Sequence, residues 1–400
     1  MSNTVPDLRR SPRWNVLPVF LILGLMASAC SSTRPGRTSS AILPQNRTEA
    51  PRYIISPYLF GARLDISQIR AEEITGINYA FALVNDKGEI YFRNPERAAQ
   101  HLAQLQALKA KNPNLKIIIS VGGWGADGFS DAVLTDASRE KFAASIIEMI
   151  KNYGLDGVDL DWEYPGQPGP GIKYRPEDKH NFTLALKTIR EHLDHLSDER
   201  GRSGYDRYKL TIATAGGEYF EHTEMGKLHQ YLDYVNVMAY DLFGSGPITG
   251  FHSGLDQSDF PGAATRTTVN LVEQHLAAGV PPRKIVVGSA FYGKGWAGVN
   301  PAHNGRNQPY ERAYGRFSYR VLVEQYINKN GFRRYWDDAA QAPYLWNADS
   351  TIFIGYDDPQ SLRAKAAYVK KMGLGGMMWW EHSQDYNNEL LDAVYETFYE

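Results

Sequence analysis

The stretch Asp156-Gly157-Val158-Asp159-Leu160-Asp161-Trp162-Glu163-Tyr164-Pro165 carries more information than any other in the chain. Side chains of a β-strand alternate with period 2, so Asp159, Asp161 and Glu163 share one face while Val158, Leu160 and Trp162 share the other. A buried parallel strand is expected to be almost continuously apolar. Carboxylates on its inner face therefore need a chemical reason. Successive members sit about 7 Å apart, twice the strand rise, and burying like charges that close is unfavourable unless one of them keeps its proton. Such a setting makes a general acid: one carboxyl with a raised pKa beside others that are charged or share a proton. A solvated edge strand would not need so apolar an opposite face. No histidine or further carboxylate lies at metal-ligand spacing in this stretch, so no metal is expected.

Working outward, short β-rich apolar runs alternate with amphipathic stretches from Tyr53 onward, which predicts parallel strands joined by helical crossovers. Eight runs qualify: 52–56, 77–83, 116–121, 157–162, 209–215, 234–240, 284–292 and 375–380. Between the third and fourth, Phe142, Ile146, Ile147 and Ile150 mark one helix face and Gly154 supplies its stop. Between the fourth and fifth, Phe182, Ala185, Ile189, Leu193 and Leu196 do the same. Each of the gaps is long enough for a helix, but the last is far longer than one crossover needs. Residues 296–354 mix Tyr, Trp and Phe with Gly, Asn and Pro turns, and Pro359–Met372 has the pattern of the final barrel helix. The expectation is an α/β fold: a (β/α)8 TIM barrel over residues 52–400, with a small α+β insertion domain at 296–354 after strand seven.

At 400 residues the chain exceeds most single domains, yet barrels with insertions reach this size as one unit. The formal net charge of −2, without blocks of like charge, gives no reason to expect a nucleic-acid partner. Aromatic residues make up 12% of the chain, and sugar-binding clefts use such rings as stacking platforms. At the N-terminus, Arg9, Arg10 and Arg13 precede an apolar run over 16–26 and then Ala27-Ser28-Ala29-Cys30, the pattern of a signal peptide spanning 1–29. The run falls short of the roughly 20 apolar residues of a permanent span. It resembles a bacterial lipoprotein signal, in which Cys30, the only cysteine, is lipidated and becomes the first residue. With Cys30 so used, no intramolecular disulfide forms. Residues 30–51, rich in Ser, Thr, Pro and Arg, have the composition of a tether. The expected location is the cell envelope, at the bacterial outer membrane and touching it only through the lipid; secretion is the alternative.

Asp156-x-x-Asp159-x-Asp161-x-Glu163 resembles the DxxDxDxE signature of family 18 chitinases, and further segments resemble the same family. Thr75-Gly76-Ile77-Asn78-Tyr79-Ala80-Phe81 is similar to its second strand and Ser120-Val121-Gly122-Gly123-Trp124 to its SxGG segment. Met238-Ala239-Tyr240-Asp241 is similar to its MxYD motif. Phe291-Tyr292-Gly293-Lys294 resembles the YGR end of strand seven, with Lys in place of Arg, and Gly375-Gly376-Met377-Met378-Trp379-Trp380 the eighth strand. The resemblance implies that Glu163 protonates the glycosidic oxygen while the substrate's own N-acetyl carbonyl attacks the anomeric carbon, the family being a substrate-assisted exception among glycosidases. Asp161 would orient the acetamido group, and Asp159 would share or relay its proton. Phe81, Trp124, Tyr164, Met238, Tyr240, Asp241 and Tyr292 would bind the sugar, with Trp380 beneath its ring. The implied substrate is chitin or N-acetylglucosamine oligosaccharides, with no cofactor.

Other residues admit plainer roles. Trp296 is a cleft wall only if the insertion folds over the barrel mouth, and Phe243 is as well explained by packing as by the cleft. His192 and His195 lie on a polar helix face, as surface residues do. Tyr292-Gly293-Lys294-Gly295 lacks the spacing of a phosphate loop, and no serine elbow or nucleotide fingerprint is found. The competing functions are an endo-N-acetylglucosaminidase acting on glycoprotein or envelope glycans, a chitin-binding protein without catalysis, and an envelope scaffold. Glu163 argues against the second, and the inward carboxylates against the third.

Overall fold

A computed structural model describes residues 48–243, 246–260 and 266–400. The signal segment, Cys30 and the tether as far as residue 47 lie outside the described residues. Parallel pairing runs from strand one (Ile54–Ile55 continuing as Tyr58–Phe60) through Gly76–Val84, Lys116–Gly122, Gly157–Asp161, Lys209–Thr214, Tyr234–Val237 and Ile285–Ala290 to Gly376–Trp380. Strand one closes the ring. Its first half pairs Ile54 with Gly376, and its second half pairs Tyr58 with Asn78. Pro57, which has no N–H to give, sits at the break, and its carbonyl accepts Asn78 N at 2.9 Å. The result is the expected (β/α)8 barrel.

Both faces of the strands are buried, which is why they are apolar nearly throughout. Outward residues such as Ile117, Ile119, Val158, Leu160 and Trp162 pack against the helices. Inward ones, among them Ile54, Tyr58, Ile118, Tyr234, Val286 and Met378, fill the barrel. Helix Asp136–Tyr153 opens on a capping box between Thr135 and Ser138 and ends at Gly154, with φ 65°. It buries Phe142, Ile146 and Ile150, whereas Ile147 is half-buried. Helix Asp178–Glu199 buries all five residues expected of it.

The structure corrects the sequence reading at three places. The first crossover holds only the single turns Ile66–Gln68 and Ala71–Glu73 rather than an α-helix. Strand seven stops at Ala290: Phe291 N still bonds to Trp380 O at 2.9 Å, but from Tyr292 the chain pairs antiparallel with Arg312–Ser318. Finally, Pro359–Met372 is followed by strand eight and by a further helix, Glu389–Tyr399, which completes the ring by burying Leu390, Leu391, Val394 and Phe398. The insertion is a five-stranded antiparallel sheet in the order Arg312–Ser318, Tyr292–Ala297, Ile352–Gly355, Ala342–Asn347, Arg333–Asp337. Trp296, Tyr344, Trp346 and Phe353 form its own core.

The barrel mouth depends on one close approach. Gly122, at φ 119°, lies opposite Asp161, and Gly123 N donates to Asp161 O at 2.9 Å. A Cβ at position 122 would fall inside the van der Waals shell of that carbonyl. Gly122→Ala should therefore destabilise the protein by about 3 kcal/mol or more, through strain and clash together, as measured by urea unfolding.

Candidate active site

At the C-terminal ends of the barrel strands opens a cleft of about 1600 Å³. This exceeds the usual span of a small-molecule pocket, roughly 300–1000 Å³, and suits an extended ligand. Asp161, Glu163, Tyr164, Phe81, Trp124, Met238, Tyr240, Asp241, Tyr292 and Trp380 all line it, so the structure brings together every expected sugar-binding residue. Trp296 and Phe243 line it as well, which places the insertion at the mouth. Trp380 stacks on Phe81 with ring centroids 5.5 Å apart and planes 17° apart. Trp124, which lines the cleft, is 69% exposed and makes a T-shaped contact with Tyr164, ring centroids 6.3 Å apart. The peptide bonds Ala80–Phe81, Glu163–Tyr164 and Trp380–Glu381 are cis.

The signature carboxylates separate by depth. Asp156 lies at the start of strand four, away from the cleft, and is structural: Lys109 Nζ reaches Oδ2 at 2.6 Å and Arg202 reaches Oδ1 at 3.0 Å. Asp159 is 0% exposed and does not line the cleft. Tyr58 OH and Ser120 Oγ each donate to its Oδ2 at 2.8 Å, and Thr211 Oγ1 and Asn236 Nδ2 donate to Oδ1 at 2.7 and 3.1 Å. Burial raises its pKa against the pull of those donors. Its oxygens are thus taken up by strands one, three, five and six rather than by Asp161. Among the described residues, Asp161 Oδ1 is buried without a hydrogen-bond partner. Burial first, then the charges of Glu163 and Asp159, lifts the Asp161 pKa well above the carboxylate range. For Glu163 burial is again the main cause, Tyr164 opposes it, and the charge of Asp241 adds to it, giving a value of about 7.

Asp241 is the opposite case. Burial alone would raise its pKa, but its cationic neighbours hold it far below the usual range. Lys294 Nζ reaches Oδ1 and Arg316 Nη2 reaches Oδ2, each at 2.8 Å, and Tyr292 OH donates to Oδ1 at 2.6 Å. His252 Nδ1 stands 3.7 Å away, too far for a hydrogen bond, and burial lowers its pKa, so the lysine and arginine carry the compensation. Lys294 therefore makes a contact to Asp241, and Arg316 adds a second cation. Arg316, Thr211 and Asn236 escaped the sequence reading. The last two are polar residues at inward positions of apolar strands, a signal the pattern did contain. Arg316, on an exposed strand of the insertion, gave none.

A closed barrel whose mouth holds a carboxyl group with a raised pKa over a deep aromatic cleft is the architecture of a glycosidase-type site. Residues 51–385 match the family described as glycosyl hydrolases family 18, and the chain belongs to that family. It is 37% identical to Chitinase A1 of Niallia circulans over 89% of its length, and spans 60% of that protein. It is 33% identical to Chitinase B of Serratia marcescens, covering 84% of this chain and 78% of the other. Among solved structures, a family 18 N-acetylglucosaminidase from Paenibacillus barengoltzii is similar with a TM-score of 0.79 and 40% identity, over 86% of this chain and 99% of that one.

Glu163 binds its proton more tightly in the folded than in the unfolded chain, so its contribution to stability is lost as pH rises from 4.5, its ordinary value, to about 7. Glu163→Gln removes that penalty. Its stability advantage over wild type should grow across this window and reach at most about 3 kcal/mol by pH 8, read from denaturant midpoints. The kcat/KM profile of the wild type should fall on the alkaline side with a midpoint of about 7.

Proposed function

We propose that the protein is a chitinase, hydrolysing β-1,4 bonds between N-acetylglucosamine units with retention of configuration. The observation that carries this reading is the state of the carboxylates. Asp159 lies beneath the cleft, Asp161 is held toward its neutral form, and Asp241 is locked between two cations and a phenol. None is a free carboxylate nucleophile, whereas Glu163, at about 7, is poised to give and take a proton. The nucleophile then comes from the substrate, and a 2-acetamido group is the one a sugar can supply. Glu163 protonates the leaving oxygen as the acetamido carbonyl oxygen bonds to the anomeric carbon. Asp161 Oδ1, for which no partner is found among the described residues, accepts the amide N–H and holds the acetamido carbonyl in line for attack, steadying the oxazolinium through that hydrogen bond. Tyr240, kept as a phenol by burial and by the charges of Asp161 and Glu163, donates a hydrogen bond to the same sugar. Glu163, now a base, activates water on the face the leaving group vacated. Asp159, beneath Asp161, adds to the field that raises the Asp161 pKa.

Chitotetraose hydrolysis followed by product chromatography tests this. Wild type should release chitobiose, and Glu163→Gln should lose about a thousandfold or more in kcat while still binding the oligosaccharide. Release of single N-acetylglucosamine units instead would favour the second reading, an N-acetylglucosaminidase, the activity named for the similar Paenibacillus barengoltzii structure. No cleavage at all would redirect the search to glycoprotein or envelope glycans.

We also propose that Cys30 carries a lipid that tethers the domain to the envelope. The support is the basic segment, the short apolar run and the single cysteine behind it. Among the described residues no helix is long and apolar enough to cross a membrane. Cys30→Ala should move the protein from the membrane fraction to the soluble fraction or leave it unprocessed; unchanged membrane association would refute the anchor.

A further inference from the structure

Behind the mouth, a second ion pair is sealed from solvent. The side chains of Lys365, in helix Pro359–Met372, and of Asp357 are each 0% exposed. Lys365 Nζ donates to Asp357 Oδ1 and Oδ2 at 2.8 and 2.6 Å and to Ser253 Oγ at 2.7 Å. Asp357 Oδ1 also accepts from Ser361 Oγ at 2.7 Å, and Oδ2 from Ser253 Oγ at 2.7 Å and from Ala290 N at 3.1 Å. Removing two ions from water is expensive, and an apolar pair of the same volume would stabilise the fold as well or better. Such a pair suggests a task other than stability.

Its reach indicates which. Ser253 Oγ lies 3.2 Å from Ala239 O, and the carbonyl of the preceding His252 accepts Leu242 N at 3.0 Å. Ala239 and Leu242 bracket Tyr240 and Asp241. Ala290 ends strand seven, two residues before Tyr292. One buried carboxylate therefore fastens the backbone that presents Tyr240, Asp241 and Tyr292. The turn needs fastening, because Asp241 has φ 55°, a left-handed conformation that a non-glycine residue holds only when its surroundings impose it.

We propose that Lys365, Asp357 and Ser253 are positioning residues that hold the turn bearing Tyr240 and Asp241 in its left-handed form. The consequence for chemistry rests on Glu163 being the acid. The Asp241 charge helps to hold up the Glu163 pKa, so a turn that relaxes away lets Glu163 ionise at lower pH.

Ser253→Ala cuts the link while leaving the ion pair with Ser361 and Ala290. The double variant Lys365→Met with Asp357→Asn removes the charges together, so that neither is stranded. In both, the Glu163 carboxyl would be titrated by carbon-13 NMR, assigned against Glu163→Gln, and kcat and KM measured on chitotetraose across pH. The expected result is a Glu163 midpoint lower by about half a pH unit, the alkaline limb of activity displaced by the same amount, and kcat down by about tenfold in a Ser253→Ala that stays folded at the assay temperature, with Tm lowered by the loss of a buried hydrogen bond. A folded Ser253→Ala with wild-type midpoint, kcat and KM would overturn the proposal and leave the ion pair a structural feature. Should the double variant fail to fold, Ser253→Ala decides alone. If wild type does not cleave chitotetraose, the substrate reading fails, while the titration still decides the positioning role.

Discussion

Everything at the mouth of this barrel answers to one constraint: strand four places Asp159, Asp161 and Glu163 on a single inward face, at a spacing where like charges cannot all be held in a dry interior. The solution is a gradient with depth. Asp159, the deepest, receives donors from strands one, three, five and six, each at an inward position that barrel closure itself brings into reach. Nothing of the kind serves Asp161. It inherits both the low dielectric and the field of its neighbours, and has an oxygen for which no protein partner is found among the described residues. Glu163, at the rim, is buried enough to be lifted and open enough to exchange its proton. The polar donors below thus serve the chemistry above by fixing one carboxyl group where no substrate can reach it.

The second pole of the site is built by the insertion. Lys294 lies on its first strand and Arg316 on the strand paired with it, and together they clamp Asp241. A lysine offers a point charge where an arginine offers a planar fork. Here Arg316 supplies the second donor direction that a fork would have provided. Two carboxylates facing one cleft are thereby pushed to opposite ends of the scale, and that difference assigns their roles.

Much of this was legible in the sequence because it follows from period 2. The inward carboxylates, the alternation of apolar runs with helical stretches, and Gly154 as a helix stop are local patterns, and they appear where strand geometry requires. What escaped is what tertiary pairing decides. Tyr292 continues an apolar run and so looks like part of strand seven. Only the partner strand Arg312–Ser318, twenty residues on, shows that it opens a different sheet. The donors that occupy Asp159 escaped for a related reason: they come from distant strands, and no spacing along strand four reveals them. The helix Glu389–Tyr399, whose period Leu390, Leu391, Val394 and Phe398 carry, follows strand eight, where no further strand requires a crossover.

The insertion lines the cleft, and its charges also act on the acid. Glu163 owes some of its raised pKa to Asp241, and Asp241 owes its ionised state to Lys294 and Arg316. Two of the three groups that fix the Asp241 carboxylate, Lys294 and Tyr292, lie on the strand that turns from the barrel into the insertion, and the third lies on the next strand. Cleft depth and acid strength are therefore coupled through one antiparallel pair. A change that re-registers Tyr292–Ala297 against Arg312–Ser318 alters the wall a long ligand meets and, through Asp241, the pH at which Glu163 holds its proton.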